Sequence, residues 1–294
     1  MKSLPLISAS FAYFLTLGSF AIAAEPTIPD SITFERGIEF SNAADQHLQL
    51  NIARPKNATG ALPTILCIHG GGFRAGTREG YDKLCLTLAG HGYVAATITY
   101  RLAPAFPFPA AVLDCKSAVR WLRANATKHH IDPTRIGVTG GSAGGHLVQF
   151  LGVTSDVQEF DVGDNLDQSS AVSCVVNYYG PSDLTQSYGK SVDAAEVLPL
   201  FFGGALNTKL KEHIRGSPLY WVTPNAAPTL IVHGTEDKYV NYEQAGWMVE
   251  KLKAAQVEVE LLTLPGAGHG FKGPDAEKAE GAMIAFFDRH LKTK

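Results

Sequence analysis

A single serine lies among glycines in the stretch TGGSAGGHL, which runs from Thr139 to Leu147. The apolar run RIGVTGG leads into it and AGGHLVQFLGV follows, so the pattern predicts a strand that passes directly into a helix. Small neighbours let strand and helix approach closely and hold Ser142 in an unfavourable backbone conformation. Its hydroxyl then stands at a helix N-terminus, where the dipole favours developing negative charge. G-x-S-x-G at such a turn predicts a nucleophile, with a flexible glycine turn as the alternative.

A serine hydroxyl needs a base and a third group that orients the base. The stretch PTLIVHGTEDKYV places Asp237 just beyond the glycine that ends a predicted strand, and LPGAGHGF places His269 in a loop after the next strand. We therefore predict that Ser142, Asp237 and His269 form a catalytic set. Two other acids are alternatives for the orienting role: Glu236, beside Asp237, and Asp183, after the strand AVSCVVNYYG.

Acyl transfer also needs N–H donors for a developing oxyanion. The stretch HGGGF begins at His69 and follows the buried run PTILCIHG. Glycines there let backbone N–H groups turn inward without side-chain obstruction, although a plain glycine turn is the alternative. We predict an oxyanion hole formed by the N–H groups of Gly71, Gly72 and Ala143, and we interpret His69 as structural.

These residues need a scaffold that gathers strand ends at one edge. From about residue 63, strand and helix patterns alternate, with buried runs such as YVAATITY and a helical pattern from Pro109 to Lys128. Such alternation predicts an α/β fold with a mostly parallel central sheet and helices on both faces. The earlier runs ITFERGIEF and QHLQLNIARP predict an antiparallel edge hairpin. His146 and His233 fall within this framework and are interpreted as structural.

Composition limits the class of protein. The chain has 294 residues, of which 45% are hydrophobic and 18% charged, with a formal net charge of -3. That is a globular composition, and the absence of a basic run argues against nucleic-acid binding. No C-x-x-C pair or Cys/His cluster predicts a metal site. Cys67, Cys85, Cys115 and Cys174 fall in predicted strands and helices, so we interpret them as buried free thiols, with disulfides as the alternative.

The N-terminus has the pattern of a targeting segment. Lys2 precedes the apolar run FAYFLTLGSFAIA, and AIAAE offers small residues for signal peptidase. The run is short for a bilayer span, although an uncleaved anchor is the alternative. We predict a signal peptide over 1–24, a single catalytic domain over 25–294, and a secreted or periplasmic protein without membrane contact after cleavage.

Several motifs together resemble the α/β-hydrolase esterases and lipases with an HGGG oxyanion motif: HGGGF, TYRLAPAFPFPAAVLD, DPTRIGVTGGSAGGHL, SPLYWVTPNAAPTLIVHGTEDKYV and GAGHGF. GGSAGGHL and HGTEDKYV are most similar to the secreted bacterial acetyl xylan/feruloyl esterase-like (BD-FAE-like) branch. Gly141 and RLAPAFPFP differ from the GDSAGG and RLAPEHPFP of the hormone-sensitive-lipase branch. The resemblance favours Asp237 over Glu236 as the acid. It implies a serine carboxylic ester hydrolase that works through an acyl-enzyme without cofactor or metal.

Specificity is expected to lie in the long connection from Thr185 to Pro218, which is predicted to fold over the site as a small cap. Phe73, Phe201 and Phe202 are predicted to line the substrate pocket, with core packing as the alternative for each. No long apolar lid is evident in the sequence, which favours short-chain or aromatic acyl groups. The resemblance extends this expectation to acetyl or feruloyl esters of plant polysaccharide.

Two other functions share these residues. A serine peptidase of the prolyl-oligopeptidase type has the same order of nucleophile, acid and base, but the sequence shows no propeller domain before the sheet. A non-catalytic binding protein with this fold is the second alternative, although no predicted triad member is missing. The expected partner is therefore a small-molecule or polysaccharide-linked ester.

Overall fold

The computed structural model describes residues 26–292, so the predicted signal peptide lies outside the described residues. An eight-stranded sheet forms the centre, in the order β1-β2-β4-β3-β5-β6-β7-β8. Neighbouring strands from β4 to β8 are parallel, whereas β1 and β2 form an antiparallel hairpin that joins the sheet through β4. The strands are β1 (Ile32–Ala43), β2 (Gln46–Pro55), β3 (Leu62–Ile68), β4 (Val94–Ile98), β5 (Ile131–Gly141), β6 (Cys174–Tyr178), β7 (Thr229–Gly234) and β8 (Val259–Leu264).

Helices cover both faces of this sheet. The α-helices are α1 (Asp82–Gly90), α2 (Ala110–Ala124), α3 (Ala126–His129), α4 (Ala143–Val153), α5 (Ala194–Phe202), α6 (Leu210–Arg215), α7 (Glu243–Ala254) and α8 (Pro274–Phe287). Short 3₁₀ turns span Arg78–Tyr81, Gln158–Phe160, Leu184–Gln186 and Pro218–Trp221, and a π turn spans Asp288–Lys292.

Successive side chains of a strand point to opposite faces of the sheet, and each face packs against its own helices. In β3, Ile65 and Cys67 pack in the cluster that includes α1 and α8, whereas Leu66 and Ile68 pack in the cluster that includes α2 and α4. All four side chains are fully buried, as expected of a strand covered on both faces. The predicted mostly parallel sheet with helices on both faces is confirmed.

The four cysteines are buried and carry free thiols, as the sequence predicted. Burial raises the pKa of the Cys115 and Cys174 thiols, which keeps both protonated and unreactive. Within residues 26–292, no helix has both the length and the apolar character that a bilayer span requires.

The parallel arrangement explains where a site can form. Strands β3, β5, β6, β7 and β8 are successive neighbours that run in the same direction, so their carboxyl ends meet at one edge. The loops that leave those ends are the usual position of ligand sites in α/β sheets. The connection between β6 and β7 is the longest of them and contains α5 and α6.

Candidate active site

Ser142 lies at the turn between β5 and α4, as the glycine-rich stretch predicted. Its backbone has φ 58° and ψ −121°, a conformation that residues other than glycine rarely adopt. The Ser142 N–H donates to the carbonyl of Tyr178 at 3.0 Å, which ties the strained turn to the end of β6. Ala143 begins α4, and the first N–H groups of a helix have no carbonyl partner within the helix. A helix N-terminus therefore adjoins the serine hydroxyl.

Two glycines let α4 approach β6 closely. A Cβ on Gly145 would lie 2.5 Å from the amide oxygen of Asn177, and a Cβ on Gly180 would lie 2.3 Å from the carbonyl carbon of Gly145. Real Cβ atoms do not occupy such distances, so each glycine is required by the backbone of the other segment. This contact fixes the first turn of α4 against the loop that follows β6.

Asp237 and His269 come together across the loops after β7 and β8. The Nδ1–H of His269 donates to Oδ2 of Asp237 at 2.8 Å. The other carboxylate oxygen, Oδ1, accepts the N–H groups of Tyr239 and Val240, both at 2.9 Å. The carboxylate is fully buried while the imidazole remains partly exposed. This bond fixes the imidazole with its proton on Nδ1, which leaves Nε2 free to accept a proton.

The environment of Asp237 keeps it ionised. Burial opposes ionisation, but the nearby imidazole of His233 and hydrogen bonds from His269 and the Val240 N–H outweigh it and hold the pKa of this carboxyl well below its usual range. His233 is fully buried, lies 3.5 Å from Oδ2 of Asp237, and donates through Nε2 to the Val240 carbonyl at 2.8 Å. The sequence indicated that His233 is structural, and the structure shows that it packs against the buried acid Asp237.

The two alternative acids have other surroundings. Asp183 accepts the N–H of Thr185 at 2.9 Å through one oxygen and the hydroxyl of Tyr220 at 2.9 Å through the other. It thereby caps the turn after β6. The side chain of Glu236 is exposed to solvent. Among the three acids, Asp237 is the one that His269 contacts.

The glycine turn after β3, where the oxyanion hole is predicted, is tightly curled. Gly71 and Gly72 have φ values of +113° and +59°, and the Gly71 carbonyl accepts the N–H groups of Arg74 and Ala75. Gly71 must be glycine because a Cβ there would lie 2.2 Å from the carbonyl oxygen of Ala75. The Gly71 carbonyl therefore points toward the residues that follow it in the turn. His69 supports it from below, where its Nδ1–H donates to the Gly70 carbonyl at 2.7 Å.

One cavity of about 500 Å³ connects these groups. Ser142, His269 and the three predicted donors all line it. Asp237 does not reach the cavity but is hydrogen-bonded to His269, so the structure brings together all the residues of the predicted catalytic and oxyanion sets. The segment from 185 to 218 contributes a large part of the remaining wall through Ser187, Ser191, Asp193, Ala194, Val197 and Leu198.

The predicted aromatic pocket is wrong in two of its three residues. Phe73 lines the cavity, but Phe201 and Phe202 are 1% and 3% exposed and lie behind it in the core. Phe201 stacks on Phe73 with ring centroids 3.9 Å apart, and both Phe201 and Phe202 contact Phe108. Position along α5 is the reason: Val197 and Leu198 lie on the same face of the helix one turn before the phenylalanines, and that earlier turn reaches the cavity while the last turn packs in the core.

Three tyrosines at the site were not anticipated. Tyr179 follows β6 with φ 41°, and its ring lies 4.7 Å from that of His269. Tyr239 lies two residues beyond Asp237, with its ring 5.2 Å from His269. The hydroxyls of Tyr81 and Tyr179 lie against Gly141, where a Cβ would be 3.2 Å from each oxygen. This contact accounts for a glycine at the position before the serine. Its position after β6 makes Tyr179 a candidate site residue, but no local pattern distinguishes it from a core tyrosine.

A mostly parallel sheet with a strained serine between strand and helix, followed along the chain by an acid and a histidine, defines the α/β-hydrolase class. Comparison with known proteins agrees. The chain belongs to the BD-FAE family, whose sequence profile matches residues 50–252. This confirms the resemblance carried by the motifs.

Two sequence relatives are esterases by name. Esterase LipC of Mycobacterium tuberculosis is 35% identical over 234 residues, which cover 76% of this chain and 56% of LipC. The chain thus spans little more than half the length of LipC. Ethyl acetate hydrolase of Pseudomonas putida is 29% identical over 280 residues, covering 90% of this chain and 84% of that protein.

Two solved structures share the fold at similar identity. A truncated form of a carbohydrate esterase from gut microbiota superposes with a TM-score of 0.78 at 26% identity, covering 89% of this chain and 97% of that one. The thermophilic esterase Est2 of Thermogutta terrifontis, with propionate bound, gives a TM-score of 0.72 at 27% identity, covering 90% and 95%.

Proposed function

We propose that this protein is a serine carboxylic ester hydrolase that works through an acyl-enzyme. The observation that carries the proposal is the convergence of Ser142, the Asp237–His269 pair and the glycine turn on one cavity. His269 Nε2 takes the proton of the Ser142 hydroxyl as its oxygen attacks the ester carbonyl carbon. Asp237 stabilises the imidazolium that forms, because its carboxylate stays ionised.

The carbonyl oxygen becomes negatively charged as the tetrahedral intermediate forms. N–H groups of Gly71, Gly72 and Ala143 provide the donors for it, and the N-terminus of α4 adds its dipole. Collapse of the intermediate breaks the bond to the alcohol oxygen, which takes the proton from His269 Nε2. Water then attacks the acyl-enzyme by the same route, with His269 again as base, and releases the acid and free Ser142.

The acyl group is short or aromatic in this proposal. The wall beside the glycine turn is apolar, with Phe73 and Val197, and Val197 methyl carbons would lie 3.4 Å and 3.5 Å from a Cβ on Gly72. Such a wall accommodates a small acyl chain and limits a long one by clash. The similarity to a carbohydrate esterase supports acetyl or feruloyl esters of plant polysaccharide as the substrates.

The remaining expectations complete the proposal. Residues 1–24 act as a signal peptide, the rest forms a single catalytic domain, and the protein works in the periplasm or outside the cell. The segment from 185 to 218 acts as a small cap, since several of its residues line the cavity beside the glycine turn and His269.

A serine-directed phosphonate tests the proposal directly. Peptide mass spectrometry is expected to find the label on Ser142 and no label in the Ser142→Ala variant. That variant should fold normally yet lose several orders of magnitude in kcat/KM on ethyl acetate. Label on another serine, or hydrolysis of peptide anilides faster than of esters, would contradict the proposal.

A further inference from the structure

The chemistry of ester cleavage determines where the alcohol part of a substrate lies. The leaving oxygen must come within hydrogen-bond reach of His269 Nε2 to receive its proton. The rest of the alcohol therefore extends over the surface beside His269, away from the glycine turn that holds the carbonyl oxygen. Residues on that side contact the alcohol, whatever the acyl group is.

Tyr239 is the aromatic residue exposed on that side. It lines the cavity, its ring lies 5.2 Å from that of His269, and it is 50% exposed. Its backbone is fixed because its N–H donates to Asp237 Oδ1 at 2.9 Å. An aromatic face is thus held at the mouth of the cavity without being buried in the protein.

Polar groups of the cap segment adjoin the same loop. The N–H of Val192 donates to the carbonyl of Lys238 at 3.0 Å, which places Ser191 and Asp193 beside the loop of Tyr239. Both side chains line the cavity, and the Ser191 hydroxyl donates to Asp193 Oδ1 at 3.0 Å. A carboxylate and a hydroxyl therefore face the space next to the aromatic ring.

The two ends of the cavity differ in character. Asp193 precedes α5, and one helical turn later Val197 packs beside Gly72. The end beside the glycine turn is apolar and suits the acyl group. The end beside His269 combines the rings of Tyr179 and Tyr239, of which Tyr239 is the more exposed, with acceptors for hydrogen bonds.

We propose that Tyr239, Ser191 and Asp193 form a subsite for a pyranose ring in the alcohol part of the ester, an inference that rests on the proposed function. A pyranose has an apolar C–H face that packs on an aromatic ring and a rim of hydroxyls that donate to a carboxylate. Tyr239 supplies the first contact and Asp193, with Ser191, the second. The ethyl group of a simple ester such as ethyl acetate has neither the C–H face nor the hydroxyls.

Two acetate esters with different alcohols test this subsite: methyl 2-O-acetyl-β-xylopyranoside, whose remaining ring hydroxyls are free to donate, and ethyl acetate. In Tyr239→Ala, the ratio of kcat/KM for the sugar ester to kcat/KM for ethyl acetate is expected to fall about tenfold. Tyr239→Phe keeps the ring and should keep the ratio. Asp193→Asn should lower the ratio by about threefold, because a neutral acceptor binds a hydroxyl less strongly than a carboxylate.

Tyr220 provides a matched control, because it is 48% exposed and does not line the cavity. Tyr220→Ala should leave both activities and their ratio unchanged. A ratio that is unchanged in Tyr239→Ala, or that falls equally in Tyr220→Ala, would overturn the subsite while leaving the esterase proposal in place. If the wild-type protein hydrolysed neither ester, both the subsite and the esterase proposal would be overturned.

Discussion

The loops that leave β5, β7 and β8 and the segment from Thr185 to Pro218 line the same cavity but are held in different ways. The loops continue strands of the central sheet, and hydrogen bonds fix their functional groups, as two backbone N–H groups fix Asp237 and Asp237 fixes His269. The segment packs apolar side chains on its surroundings, such as Phe201 on Phe73, and is tied to them by scattered hydrogen bonds and by the Arg74–Glu196 ion pair.

This difference indicates a division of labour. A group fixed by backbone bonds at a strand end keeps its geometry when surrounding side chains change, which suits the chemical step. A helix held by packing presents whichever side chains its sequence and rotation supply, which suits selectivity. Changes in the catalytic groups of the loops should therefore lower the rate, and changes in the segment should lower stability or alter substrate preference.

The largest expected effect is on the rate, in Asp237→Asn. Asparagine can keep the Oδ1 contacts to two N–H groups but places a neutral amide beside His269, so the imidazole loses its orienting anion. We expect kcat on ethyl acetate to fall roughly 10³–10⁴-fold. Asp183→Asn, in the turn that opens the segment, should cost less than about tenfold, because that acid caps a turn. Reversed results would assign the acid to Asp183.

Phe201→Ala should act on stability. Its side chain is 1% exposed, so truncation leaves a cavity under Phe73 and should lower the free energy of unfolding by about 3–5 kcal/mol. Phe201→Leu fills part of the space and should lose less. Urea unfolding followed by tryptophan fluorescence measures both. Full stability in Phe201→Ala would show that the segment is held by something other than this packing.

The junction between the two regions should be sensitive to acid. His146, on α4, is fully buried and its Nε2–H donates to the Gly216 carbonyl at 2.6 Å. Burial lowers the pKa of His146 from 6.5 to about 4. Below pH 6.5 the unfolded chain therefore binds a proton that the folded protein does not, and stability falls as the pH falls toward 4.

Between pH 7 and pH 4.5, this histidine alone should lower the free energy of unfolding by about 2–3 kcal/mol. His146→Gln can keep a donor for Gly216 without titrating, so it should remove that share of the pH dependence. The measurement is the urea midpoint at both pH values. Both lie above the range in which Asp237 takes up a proton, so that acid does not contribute to the difference. Equal pH dependence in the variant and the wild type would show that His146 is not held neutral.

The smallest effect is expected at the wall of the acyl end. Val197→Ala removes methyl groups beside Gly72 and makes room for about one further methylene of substrate, a gain of about 0.8 kcal/mol. The ratio of kcat/KM for ethyl butyrate to that for ethyl acetate should rise about fourfold. If Phe201→Ala raised this ratio more than Val197→Ala, the phenylalanine rather than the valine would limit the acyl group.

The same division separates what the sequence could predict from what it could not. Ser142, Asp237 and His269 follow strands whose apolar runs are readable, and parallel strands bring their ends to one edge whatever covers them. Their catalytic roles stay predictions until tested. Phe201 was placed wrongly because its depth below the cavity depends on contacts with Phe73 and Phe108, which lie far away in the chain.

The tyrosines illustrate a second limit. Tyr179 and Tyr239 lie in strand-end loops, where a functional position was expected, but an aromatic residue there carries no local pattern that distinguishes a cavity wall from the core. Tyr179 is half-buried against Gly141, whereas Tyr239 is half exposed beside His269. Only the packing of the surrounding loops decides between these two outcomes.

The contact between Gly145 and Gly180 has a consequence for how this protein can evolve. Each residue occupies space that a side chain on the other segment would need, so a first substitution at either position is destabilising. A second substitution across the contact adds volume and cannot compensate for the first. Single and paired substitutions at this contact are therefore both destabilising, so the placement of α4 against β6 depends on glycine at both positions.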